Sequence, residues 1–182
     1  MPNRSENAVA FAALRAGTDL PAALALFDTL PAVTEEELLG AWRGGEVPTG
    51  HPLDGVLERS GWWGKRFAGP DDVHPLVMGR DPGQRWSLNP ALVPIGLFVR
   101  HPWLGRLDGA AIVRVLRPLV ATRRPRARLR MTTYRGVVSA TMCYDALPIH
   151  DVFRRVDEAT LLAVMDLRGA PPYVFFLERE HP

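Results

Sequence analysis

The chain predicts a mainly β protein, an antiparallel β-barrel preceded by helices. Three observations point there. Two hairpins close the sequence: Ala127–Tyr134 with Val137–Asp145 across Arg135-Gly136, and Thr160–Leu167 with Tyr173–Arg179 across Arg168–Pro172. The last strand is apolar on both faces, with Tyr173, Phe175 and Leu177 on one and Val174 and Phe176 on the other, so both need cover. The first third is Ala/Leu-rich with apolar residues three and four apart, a helical period. Helices over one face and a barrel interior behind the other satisfy all three.

The elements follow in order. Glu6–Ala16 and Pro21–Leu30 read as helices, the second with Asp19 at its positive end. A third starts at Thr34, with Glu37 completing a capping box, and stops at Gly40. A short strand begins at Gly40, and His51–Gly61 reads as one short helix. Strands follow at Trp62–Phe67, Val73–Met78 and Arg85–Leu88, separated by Asp/Pro/Gly turn signals. Periodicity does not settle residues 90–126: Ile112–Val120 suits a helix or a strand. Leu147–Val156 reads as an irregular connection. The expected organisation is a helical segment 1–39 packed on a barrel domain 40–182, with halves at 40–89 and 125–180.

Composition narrows the function. The chain has 182 residues, 47% hydrophobic and 23% charged, enough to bury a core without staples. Its single cysteine, Cys143, excludes a disulfide framework and a thiolate zinc cage. No apolar run reaches the roughly 18 residues of a membrane span, and the cytoplasm is the expected compartment. Net charge is +2, and no nucleic-acid motif accompanies the basic run Arg123–Arg130, so nucleic acid is not an expected partner. The histidines show no metal-ligand spacing, and no cofactor motif is present.

Long motifs carry a family resemblance. Gly40-Ala41-Trp42-Arg43-Gly44 spells G-x-W-x-G, followed by Thr49–Gly55 and Ser60–Phe67. The C-terminal third has Ala127–Arg130, Arg135–Met142, Tyr144-Asp145, Pro148-Ile149, Asp151, Phe153-Arg154 and Phe176–Arg179. Over about residues 27–79 and 125–180 the chain resembles a bacterial and fungal family that pairs a GXWXG domain with a C-terminal domain of unknown function. It is also similar to calycin and lipocalin-like barrels, in which a G-x-W tryptophan plugs one end and a late arginine lies across its ring. That resemblance implies these parts for Trp42 and Arg179.

A barrel lumen of this kind suits a small lipophilic ligand, with an acidic or carbonyl head met by arginine and tyrosine. Arg128, Arg130 and Tyr134 alternate onto one face of a strand, and Trp62, Trp63 and Asp151 complete the ligand-binding candidates. The acid–base candidates are Lys65, Tyr144, Asp145, His51 and His74. Lys65 is the only lysine among 22 basic side chains, and strand alternation places it with Trp63 and Phe67. The bland reading of each histidine is a hydrogen-bonded turn residue; that of Arg128 and Arg130 is a solvent-facing strand edge. The alternative function is an enzyme in the same barrel, an isomerase, decarboxylase or cyclase on a hydrophobic metabolite. A homodimer through an exposed tryptophan stays open.

Overall fold

The computed structural model of the protein describes residues 4–101, 103–104 and 107–180. Two helices come first, α1 (Arg4–Arg15) and α2 (Leu20–Thr29), the latter capped by the Asp19 carboxylate accepting from Ala22 N–H. The one-turn α3 (Glu35–Leu38) carries the expected capping box: Thr34 N–H donates to Glu37 at 2.8 Å and Glu37 N–H to Thr34 at 3.4 Å.

Eight strands then close a barrel. They are β1 (Gly40–Glu46), β2 (Trp62–Gly69), β3 (Asp72–Met78), β6 (Ala127–Tyr134), β7 (Val137–Tyr144), β8 (Ile149–Arg155), β9 (Thr160–Leu167) and β10 (Tyr173–Arg179). Each pairs antiparallel with its neighbours, and β1–β10 completes the ring. Short strands β4 (Trp86–Leu88) and β5 (Ala121–Thr122) extend from β3 outside the ring. The β6–β7 turn is Arg135-Gly136 with φ of 50° and 79°, the left-handed pair that a two-residue hairpin requires. Leu147–Val156 is not an irregular connection: most of it is β8, in register with β9 from Ile149 to Arg155. Its alternation was hidden because Asp151 faces inward and Arg154 lies buried under α2. The stretch 51–61 is helical only at α4 (Val56–Arg59), preceded by turns.

The two faces of β10 find two covers. Tyr173, Phe175 and Leu177 join the barrel core with Trp42, Phe67 and Phe153. Val174 and Phe176 join a separate core with Phe11, Leu14, Ala23 and Phe27 from the helices. Burying a large apolar side chain contributes roughly 1.5–3 kcal/mol, so each cluster is a substantial stabiliser.

Trp42 plugs one barrel end. Its side chain is buried, its indole N–H donates to Leu38 O at 2.7 Å, and the Arg179 guanidinium lies 4.2 Å from its ring centre. Arg179 also donates to Leu39 O and Glu37 O, so it and Trp42 satisfy carbonyls that the end of α3 leaves open. The motif's second glycine has a separate use. A Cβ on Gly44 would lie 2.0 Å from the Trp62 ring, so Gly44 makes room for that indole.

The wall is incomplete on one side. Only Val73↔Ala127 pairs β3 with β6, while Val77 and Met78 pair with β4. Val73 O accepts from Arg126 N–H, so Pro75, two residues on, faces the same edge and has no N–H to offer. The strands part there. The region that periodicity left open fills the gap: α5 (Ile95–Arg100) and α6 (Gly109–Val120) sit over the split, with Phe98, Val99, Val113 and Val120 packed on the barrel core.

Candidate functional site

Beneath those helices lies a cavity of about 270 Å³. Its walls are almost wholly apolar: Leu53, Leu57 and Trp62 on one side, Ile149, Met165 and Phe175 on the other, and Phe98, Leu104 and Val113 as a roof. Arg59, Ser60 and Tyr173 contribute to the lining, and one polar cluster stands at its base, where Lys65, Asp151 and Tyr144 enter from β2, β8 and the end of β7.

Lys65 faces inward because β2 is bulged. Its register with β3 shifts between Trp62 and Gly64 and again between Gly64 and Arg66. The shift puts Trp62, Lys65 and Phe67 on the barrel side and sends Trp63 outward, correcting the simple alternation that paired Lys65 with Trp63. Gly64 permits the bulge: a Cβ there would meet Trp42 O at 1.9 Å. Lys65 is 2% exposed, donates to Asp151 Oδ2 at 2.8 Å and to Pro75 O at 3.3 Å, and lies 5.0 Å from the Phe175 ring centre. The carbonyl where β3 leaves β6 is thus answered by the lysine.

Burial governs the electrostatics. Desolvation lowers the Lys65 pKa, against the opposing pull of Asp151. Desolvation raises the Asp151 pKa, against Lys65, and lifts Tyr144 well above its ordinary value, with the Asp151 charge adding to it. Every shift favours the neutral form. The ion pair uses only part of its capacity. Asp151 Oδ1 has no hydrogen-bond partner, and the protonated amine has three N–H groups of which two are engaged.

The other candidates stand elsewhere. His51 is buried with both ring nitrogens engaged: Nδ1 accepts from Leu53 N–H at 3.0 Å and Nε2 lies 3.2 Å from Pro171 O. Those partners describe a neutral imidazole protonated at Nε2, holding a turn, and it lies outside the cavity lining. His74 faces an outer cleft with Arg66, its Nε2 3.3 Å from Asp72. Trp63 lies in that cleft under the Arg85 guanidinium, 3.5 Å from the ring centre, and Arg85 grips Glu180 with two bonds of 2.6 Å.

Arg128 and Arg130 are exposed on the outer face and pair with Asp145 and Asp71, so they do not reach into the lumen to meet a ligand head. Asp145 is on that outer face too, opposite Tyr144. Tyr134 packs edge-on against Phe27 beneath α2. Of the candidates, the cavity therefore gathers Lys65, Tyr144, Asp151 and Trp62.

The sequence reading missed the roof from α5 and α6, and also Tyr173, a buried residue of the lining. Its alternation with Phe175 marked it as inward-facing but could not distinguish core from lining. Among the described residues no group of His, Cys, Asp and Glu is arranged to hold a metal ion, and no helix is long and apolar enough to cross a membrane.

Comparison with known proteins agrees with this architecture. Residues 25–83 match the family model described as GXWXG protein, and residues 125–179 match a domain of unknown function, DUF4334. No curated protein matches the chain. A crystal structure of a protein from Thermomonospora curvata is 31% identical, over 98% of this chain and 98% of that one, with a TM-score of 0.68. With both halves of its barrel matched and a full-length relative of the same fold, the chain belongs to the family that joins a GXWXG domain to a DUF4334 domain.

Proposed function

We propose that the protein binds a small lipophilic molecule in the barrel cavity, with a carbonyl or hydroxyl head seated on Lys65, Asp151 and Tyr144. The observation that carries this reading is the polarity of the cavity: apolar walls around one buried charge pair with hydrogen-bonding capacity to spare. A carbonyl head suits it better than a carboxylate. Asp151 already balances Lys65, so a second buried carboxylate would go uncompensated.

Two measurements test this. Native mass spectrometry of protein from its own host should reveal a co-purified small molecule. In titration, lipophilic ketones should bind in the micromolar range, near −8 kcal/mol, and quench tryptophan fluorescence through Trp62. Replacing Lys65 alone would strand a buried carboxylate, so the informative variant is Lys65→Met with Asp151→Leu, which removes both charges and keeps the volume filled. It should weaken ketones at least tenfold, about 1.4 kcal/mol, and leave matched hydrocarbons unchanged. Equal loss for both ligand types, or no binding below millimolar, would sink the reading.

A second reading is acid–base catalysis on the same ligand class, and Asp151 Oδ1 favours it. A desolvated carboxylate with a free oxygen is a stronger base than one in water. With Lys65 or Tyr144 donating to a carbonyl oxygen, Asp151 would take a proton from the adjacent carbon, and the C–H electron pair would become an enolate. Solvent deuterium should then enter a bound ketone at that carbon, and Asp151→Asn should abolish it. No exchange above the rate in buffer leaves a binding protein.

A further inference from the structure

We propose that the face formed by residues 92–101, 103–104 and 107–124 docks on an anionic membrane surface. The observation is where the exposed hydrophobes lie. Of thirteen large apolar side chains exposed among the described residues, eight fall between Leu92 and Leu119. In α6 they form a stripe: Ile112, Val115, Leu116 and Leu119 stand at i, i+3, i+4 and i+7, with Val115 74% and Leu119 75% exposed. That spacing normally marks a buried helix face. Here the flanking positions, Val113 and Val120, pack on the barrel, and the stripe points to solvent. Trp103, 60% exposed, and Leu92 add to it.

Charge chooses the occupant. The described residues between 92 and 124 hold five arginines and one acidic residue, Asp108, a net +4 in a chain whose total is +2. A second copy of the chain would bring one cationic face against another. An anionic leaflet is the complement, taking the apolar stripe among its acyl chains while arginines such as Arg114 and Arg124 reach its headgroups. Near such a leaflet each basic residue contributes roughly fivefold to partitioning. Leu97, Leu107 and Ile112 belong both to this surface and to the cavity lining, so the cavity opens into the docking face. A lipophilic ligand would then pass between bilayer and barrel without crossing water. That last step alone rests on the binding function proposed above; the docking does not.

Sedimentation with vesicles, scored without added ligand, tests the docking. The wild-type chain should pellet with vesicles of phosphatidylcholine plus phosphatidylglycerol, pellet far less with phosphatidylcholine alone, and be released by salt. Val115→Asp with Leu119→Asp should lower partitioning at least about tenfold. Both positions are exposed and outside the cavity lining, so melting temperature and ketone binding should be unchanged in this variant. No pelleting with the anionic vesicles, or equal pelleting by the variant, overturns the proposal. So does a concentration-dependent dimer in sedimentation velocity that the variant abolishes, which would give the stripe to a second copy of the chain.

Discussion

His51 and His74 are each held neutral by burial, which is the first cause of their lowered pKa. The unfolded chain therefore takes up their protons first as pH falls. Their stabilising contribution is complete above about 6.5 and declines from there toward the folded pKa. One proton gives a slope of at most about 1.4 kcal/mol per pH unit. Glu46 and Asp151, whose carboxyls burial raises, act in the opposite sense, so a difference measurement is needed. Urea unfolding at pH 7.5 and pH 5 should show a smaller acid-side loss in His51→Gln than in the wild type. An identical pH dependence in the two would mean that this imidazole charges in place. The same residue-scale logic separates Lys65 from the histidines. His51 has both nitrogens answered by the protein, whereas the Lys65–Asp151 pair lines a cavity and leaves Asp151 Oδ1 without a hydrogen bond.

At the scale of elements, α3, β1 and β10 are locked by one contact set. Trp42 and Arg179 are register partners, stack on each other, and together bind three successive carbonyls, Glu37, Leu38 and Leu39. Trp42→Ala removes a fully buried indole and should cost roughly 3–5 kcal/mol. Arg179→Ala should cost less, because its guanidinium is partly solvated. The double variant should be less destabilised than the sum by at least about 0.5 kcal/mol, since each single change already breaks the stack. Strict additivity in denaturant titration would show that the stack contributes nothing and that Trp42 acts by volume alone.

For the whole molecule, two outer layers carry large apolar surfaces, the barrel wall of β8–β10 and the outward side of α6, and α1 and α2 cover the first. α1 and α2 lie over Val152, Leu162, Val164, Val174 and Phe176. Removing residues 1–30 would bare that face as one contiguous apolar patch, large enough to associate. The truncated chain should therefore bind a hydrophobic dye strongly and aggregate at concentrations where the full chain stays dispersed. If it is dispersed, dye-silent and equally stable, the helices are an appendage and the outer core holds without them. The second surface, the outward stripe of α6, has no such cover among the described residues.

Much of this was legible because the signals were local. The capping box at Thr34, the Arg135-Gly136 turn, the two-faced β10 and the G-x-W-x-G plug each depend on residues close in sequence or on strict alternation. The lone lysine was singled out by composition, and Asp151 and Tyr144 by motif. Their meeting was not readable, because a bulge at Gly64 resets alternation and an ion pair 86 residues apart depends on barrel closure. The arginines of β6 obeyed alternation, but alternation does not say which face is the lumen. The α5–α6 roof was invisible for the same reason that α6 is unusual: its outward stripe looks like a core face until the tertiary structure shows that no part of the barrel covers it. Sequence alone determined the family, the hairpins and the plug, through short-range patterns. Only the closed barrel, by parting β3 from β6 at Pro75, decided where a cavity opens and which charged groups lie at its base.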